Sequence, residues 1–139
     1  MSAVENYQTE YTPQLRALGS NSVGRDTQEL LLSLSTPLNL VMVKGILFGN
    51  SEERNFKQLL QRIESHFENT NILNVYIKLD AFDLEGIAHL FSLVQILNKA
   101  SKNGNYISVY WNTKNDNSIQ VIASEFHKLL ECDFHICDI

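Results

Sequence analysis

The sequence predicts one α/β domain whose mixed sheet opens with an N-terminal β-hairpin and continues through strands that alternate with three helices. Two observations predict this fold class. The chain has 139 residues, 44% of them hydrophobic, which suits a single domain with its own core. Segments with apolar residues at helical spacing alternate with segments of period two. This order is typical of crossover units in a largely parallel sheet.

The chain divides into an arm and a domain. Residues 1–28 are rich in Ser, Asn, Thr, Gln and Gly, and their apolar residues are isolated. Such a segment buries too little surface to offset its ordering entropy, so it predicts a flexible N-terminal arm. The regular patterns begin at residue 29, and we expect the domain to occupy residues 29–139.

Three short segments predict the antiparallel start of the sheet. A first strand, within residues 29–36, ends before Pro37, and residues 38–43 have period two. Lys44-Gly45 then separates this segment from residues 46–48. A two-residue spacing with a glycine is typical of a tight hairpin, so we expect a turn at Lys44-Gly45.

Apolar stripes at helical spacing predict three helices, over residues 56–67, 87–97 and 119–130. The expected N-terminal caps are Asn50 or Ser51 for the first helix, Asp83 for the second, and Asn117 or Ser118 for the third. Residues 74–79, 106–111 and 134–136 have the period-two pattern of strands.

Composition and charge exclude several classes of partner. The formal net charge is −5 and the pI is near 5.3, so general binding to nucleic acid or to an anionic membrane is not expected. The start of the chain has no basic and apolar leader, and no apolar stretch has the length of a membrane span. We expect a cytoplasmic protein, monomeric or weakly dimeric, without a cofactor.

The histidines and cysteines near the C-terminus allow two interpretations. His127, Cys132, His135 and Cys137 offer zinc ligands within eleven positions, but they lack the paired spacings of structural zinc sites. We favour reduced thiols, with Cys132 packed as a small hydrophobe.

Three carboxylates mark the turn from the central strand into the second helix: Asp80, Asp83 and Glu85. The favoured interpretation is structural, with Asp83 as the helix cap and Glu85 complementing the helix dipole. The alternatives are a small metal-dependent enzyme or a nucleotide- or lipid-binding STAS module that uses this acidic corner.

Several motifs, taken in order, resemble the SiaC family of bacterial regulatory phosphoproteins, which is STAS-like and similar to anti-sigma-factor antagonists. The resemblance covers about residues 30–139. Its markers are Ser35-Thr36-Pro37, the segment 49–55 (GNSEERN, where the family tends to have Gly-x-Ser-x-Pro-Glu-Asn), a strand ending at Leu79, residues 109–111 before a polar turn, and Glu125-Phe126.

The resemblance implies a non-enzymatic switch protein with a STAS-like fold. In this family, a kinase of the histidine-kinase-like type phosphorylates a hydroxyl in an Asn-Thr-Ser-Ser-like stretch at the start of the helix after the central strand. A PP2C-type phosphatase removes the phosphate. The unphosphorylated protein binds and activates a diguanylate cyclase, which connects the switch to biofilm formation.

This chain departs from the family pattern at the phosphoacceptor. Aligned on that stretch, Asp83 takes the place of the asparagine, Leu84 that of the phosphoacceptor, and Glu85 and Gly86 those of the serines. Leucine has no hydroxyl to phosphorylate. Either the carboxylates partly imitate a permanent phosphate, or Leu84 is an apolar anchor for a partner and regulation lies elsewhere.

We therefore expect a protein-binding regulator whose partner-binding surface is the turn from Asp80 through Gly86. Asp83 and Glu85 provide the charge and Leu84 the apolar contact. Ser51, a candidate for modification, and Asn55 extend this surface from the start of the first helix.

Overall fold

The structure, a computed structural model, describes residues 30–137; the predicted arm lies outside the described residues. Eight elements follow one another along the chain: β1 Leu31–Ser35, β2 Leu40–Leu47, α1 Gly49–His66, β3 Ile72–Phe82, α2 Leu84–Lys102, β4 Tyr106–Asn112, α3 Asn117–Leu129 and β5 Asp133–Cys137.

The five strands form one mixed sheet in the order β1-β2-β3-β4-β5. β1 is antiparallel to β2, and the remaining neighbours are parallel. Crossovers between parallel strands are right-handed, so a spatial order that follows the chain order places all three helices on one face. The predicted fold class is confirmed.

The core lies between the sheet and the helices. Alternate residues of each central strand point into it, and the apolar stripes of α1, α2 and α3 cover them. Its largest fully buried side chains include Trp111, Phe56, Leu47, Ile63 and Leu73. The other face of the sheet carries no helix within the described residues.

The predicted turn at Lys44-Gly45 is wrong. β2 continues through this dipeptide without reversing direction. The hairpin turn lies between β1 and β2, where Asn39 has a positive φ of 51° and its N–H donates a hydrogen bond to the Thr36 carbonyl. Gly45 pairs with Leu79 but Ile46 pairs with Ala81, so the glycine marks a β-bulge and not a chain reversal.

Two of the predicted helix caps are also wrong. α1 begins at Gly49 with Phe48 in the N-cap position, so Asn50 and Ser51 already lie in the helix. α3 is capped by Asp116, whose carboxylate accepts a hydrogen bond from the Ile119 N–H at 3.1 Å, one residue before the predicted Asn117. The cap of α2 by Asp83 is confirmed.

We expect Phe56→Ala to lower the free energy of unfolding by about 3–5 kcal/mol, because Phe56 is 1% exposed and its removal leaves a cavity. Urea denaturation followed by Trp111 fluorescence measures this. Val121→Ala is the matched control, since Val121 is 61% exposed and its truncation should cost less than about 0.5 kcal/mol. Equal costs for the two variants would contradict the assigned core.

Candidate partner-binding site

The candidate site lies where two parallel strands end side by side and two helices begin. Leu47 at the end of β2 pairs with Phe82 at the end of β3. The Asp83 N–H continues the pairing with a 3.3 Å bond to the Leu47 carbonyl. α1 and α2 start within two residues of these strand ends, so their N-termini meet at one corner.

A single carboxylate holds the two N-termini together. Asp83 Oδ1 accepts a hydrogen bond from the Gly86 N–H at 2.7 Å, which caps α2. The same oxygen accepts a second bond from the Gly49 N–H at 3.0 Å, at the start of α1. The N–H groups of a first helical turn lack partners within their own helix, and the helix dipole favours a negative charge beside them.

Two glycines allow the backbone segments at this corner to approach each other closely. A Cβ on Gly49 would collide with the side chain and backbone of Glu85, and a Cβ on Gly86 would collide with the carbonyl oxygen of Leu47. Gly86 is buried. The predicted site residue Gly86 therefore serves the packing of the corner, and no larger residue fits there without displacing backbone.

His89 adds a second connection between α1 and α2. Its Nε2 lies 3.0 Å from the Gly49 carbonyl oxygen and must carry the proton, since a carbonyl only accepts. Its ring stacks on Phe56, with the centroids 5.3 Å apart. No sequence pattern singles out His89, because its partner is 40 residues away.

The corner presents an apolar side chain to solvent. Leu84, the first residue of α2, is 83% exposed, the largest value among the large apolar side chains described. Glu85 beside it is exposed, and Phe48, in the N-cap position of α1, is 46% exposed. We call Phe48, Leu84 and Glu85 the Leu84 surface.

Asp80 lies apart from Asp83. It is the extra residue of β3 at the bulge, and its carboxylate forms a 2.6 Å ion pair with Lys114 in the loop after β4. That loop is fixed locally, because the Lys114 N–H bonds to the Asn112 side chain at 2.9 Å. The structure thus brings Asp83, Leu84, Glu85 and Gly86 together but directs Asp80 towards β4.

The two predicted site residues of α1 occupy different positions. Ser51 lies in the first turn of α1, next to the corner. Asn55 lies one turn further on, where its amide donates to Glu52 and where it lines a cleft of about 240 Å³ between α1 and β1.

The two histidines among the candidate zinc ligands each stack on an aromatic ring. His127 stacks on Phe134 and His135 stacks on Tyr110. Burial, and next the charge of Asp133, raise the pKa of Cys132 to about 11, which keeps its thiol protonated at neutral pH. Within residues 30–137, no three His, Cys, Asp or Glu side chains form a group that could hold a metal ion, the acidic corner included.

The sheet, the helices and the capped corner define a two-layer α/β domain with a five-stranded mixed sheet. The chain belongs to the SiaC family of regulatory phosphoproteins, whose family model matches residues 31–139. No curated protein matches the chain. In residues 30–137, no helix is long and apolar enough to cross a membrane.

Solved structures have the same fold at low sequence identity. Apo-SiaC from Pseudomonas aeruginosa superposes with a TM-score of 0.70 at 17% identity, covering 80% of this chain and 92% of that one. A chain of the crystal structure of diguanylate cyclase SiaD in complex with its activator SiaC, from the same organism, gives a TM-score of 0.71 at 16% identity, covering 80% and 93%.

We expect Asp83→Ala to lower the free energy of unfolding by about 2 kcal/mol, because it removes a cap worth about 1 kcal/mol and a second charge-assisted bond of similar size. Asp116→Ala is the matched control, since Asp116 caps α3 alone and its loss should cost about 1 kcal/mol. Urea denaturation measures both. If Asp83→Ala cost no more than Asp116→Ala, the bond to Gly49 would contribute nothing.

Proposed function

We propose that this chain is a non-enzymatic regulator that binds a protein partner through the Leu84 surface. Membership of a family of regulatory phosphoproteins supports a signalling role. The observation that carries the choice of surface is Leu84, 83% exposed on the first turn of a helix whose start is held rigidly by Asp83. Exposed apolar residues on rigid elements are typical of interaction sites.

The geometry favours the apolar-anchor interpretation over imitation of a phosphate. Asp83 directs a carboxylate oxygen at two backbone N–H groups inside the corner, so much of its charge is used within the domain. Glu85 alone then offers the partner an exposed carboxylate at this turn. One carboxylate has less charge and fewer acceptor oxygens than a phosphate, whereas Leu84 offers a whole apolar side chain.

Leucine at the expected phosphoacceptor position has a direct consequence for regulation. No kinase can place a phosphate on Leu84, so a kinase and a PP2C-type phosphatase cannot switch this surface at that residue. We propose that the Leu84 surface stays competent for binding, and that any phosphorylation acts at another hydroxyl. Ser51, in the first turn of α1, is the candidate.

The partner that we propose is a diguanylate cyclase, which makes this chain a regulator of c-di-GMP signalling and biofilm formation in the cytoplasm. SiaC, a structural neighbour of this chain, occurs in a solved complex with the diguanylate cyclase SiaD as its activator. We assign this role to the family domain, residues 29–139, without nucleic acid, membrane or cofactor as partners.

We expect Leu84→Asp to weaken binding to the diguanylate cyclase of the same organism at least tenfold, because burial of a leucine side chain is worth about 1.5–3 kcal/mol. Isothermal titration with the purified cyclase measures this, together with its rate of c-di-GMP synthesis. The variant should remain folded, since Leu84 is 83% exposed.

Val121→Asp is the matched control for that variant. It introduces the same charge at an apolar residue that is 61% exposed on α3, away from the corner. We expect this control to bind as tightly as the unaltered chain. If Leu84→Asp also bound with unchanged affinity, the Leu84 surface would not be the binding site. If the unaltered chain did not bind the cyclase, the proposed partner would be wrong.

A further inference from the structure

The loop that joins β4 to α3 holds two adjacent residues in a backbone conformation that is uncommon for residues other than glycine. Lys114 and Asn115 have φ values of 56° and 58°, in the left-handed region. Asparagine tolerates this conformation, but lysine seldom adopts it. Such residues persist only where their surroundings hold them, and they concentrate at binding and catalytic sites. We call residues 113–116 the Lys114 loop.

The Lys114 loop is held in place by contacts with two neighbouring strands and by a bond of its own. Thr113, which is fully buried, donates its N–H to the Cys137 carbonyl at 2.8 Å, and its own carbonyl accepts the Asp116 N–H at 2.9 Å. The Lys114 side chain reaches back to β3, where its Nζ lies 2.6 Å from Asp80 Oδ1. The base of the loop is therefore fixed, whereas its tip is exposed.

The Lys114 loop lies at the same edge of the sheet as the Leu84 surface. β2, β3 and β4 are parallel, so their carboxyl ends share one edge, and open α/β sheets bind ligands at this edge. Asp80, which contacts the loop, precedes Leu84 by four residues, and four extended residues span at most about 14 Å. A standard protein interface covers about 800 Å² of each partner, a patch roughly 25–30 Å across. A partner that covers Leu84 can therefore reach the loop as well.

Lys114 has hydrogen-bonding capacity that the domain leaves unused. A lysine ammonium carries three N–H donors, and within residues 30–137 its bond to Asp80 is the only hydrogen bond of the Lys114 side chain. This side chain is 44% exposed, so Asp80 orients the ammonium without enclosing it. The Leu84 surface offers a partner two apolar side chains and one carboxylate but no donor side chain. The loop supplies the donors that the Leu84 surface lacks.

We infer that the Lys114 loop is the polar rim of the partner-binding surface, where the Lys114 ammonium donates to an oxygen acceptor of the partner. Protein interfaces commonly surround an apolar centre with such a hydrogen-bonded rim. Asp80 is a positioning residue, because it acts on the partner only through Lys114. These roles rest on the function proposed above, since the partner is the one that contacts Leu84.

We expect Lys114→Met to weaken binding to the diguanylate cyclase of the same organism about fivefold in isothermal titration, because one charge-assisted hydrogen bond is lost. Lys128→Met is the matched control. Lys128 also pairs with a carboxylate, that of Glu125 at 3.2 Å, but it lies in the last turn of α3, at the end of that helix away from the loop. The control should bind like the unaltered chain, and neither variant should change the melting temperature, since exposed ion pairs contribute little to stability.

Asp80→Ala tests the positioning role. We expect it to weaken binding about threefold in the unaltered chain but not at all in the Lys114→Met background, because Asp80 then has no ammonium to orient. A residue that contacts the partner itself, or that only stabilises the fold, would weaken binding equally in both backgrounds. That outcome would overturn the role assigned to Asp80.

Two outcomes would overturn the role of the Lys114 loop and leave the Leu84 surface in place. One is unchanged affinity of Lys114→Met where Leu84→Asp binds weakly, and the other is an equal loss for Lys114→Met and Lys128→Met. Failure of the proposed function gives a different result, because the unaltered chain would then not bind the cyclase or Leu84→Asp would bind with unchanged affinity. Either of those results would overturn the loop's role together with the proposed function.

Discussion

The corner of this domain depends on one carboxylate that is shared between two helices. Asp83 caps α2 in the ordinary way, and the same oxygen also bonds to the first N–H of α1. This is only feasible because parallel strands β2 and β3 end together and because Gly49 and Gly86 let the backbones touch. The strand pairing, the two glycines and the Asp83 carboxylate therefore act as one constraint. Removal of any of them would separate the starts of the two helices.

This constraint bears directly on the binding surface that we propose. A leucine at the first position of a loosely held helix would lose entropy on binding, whereas Leu84 sits on a helix start that is already fixed. The Asp83 carboxylate, which fixes the corner, points into the domain, and the Leu84 side chain points into solvent. In the proposed arrangement Asp83 serves the structure of the corner, and its neighbour Leu84 serves recognition of the partner.

Sequence patterns could predict the parts of this account that are local. The cap by Asp83 and the exposure of Leu84 follow from the start of one helix, and the periodicities predicted the strands and helices. The bond from Gly49 to Asp83 and the ion pair from Lys114 to Asp80 each join residues 34 positions apart, which no local pattern contains. The predicted turn at Lys44-Gly45 was wrong for the same reason, because only the pairing with β3 distinguishes a bulge from a turn.

The most direct test of the account is to map the contact on the isotope-labelled chain while purified diguanylate cyclase is added. We expect the NMR signals of Phe48, Leu84 and Glu85 to lose intensity or shift first, while those of Tyr76 and Tyr110, on the face of the sheet opposite the helices, stay unchanged. Shifted signals of Tyr76 and Tyr110 with the Leu84 surface unaffected would contradict the proposed binding site, because the partner would then bind elsewhere.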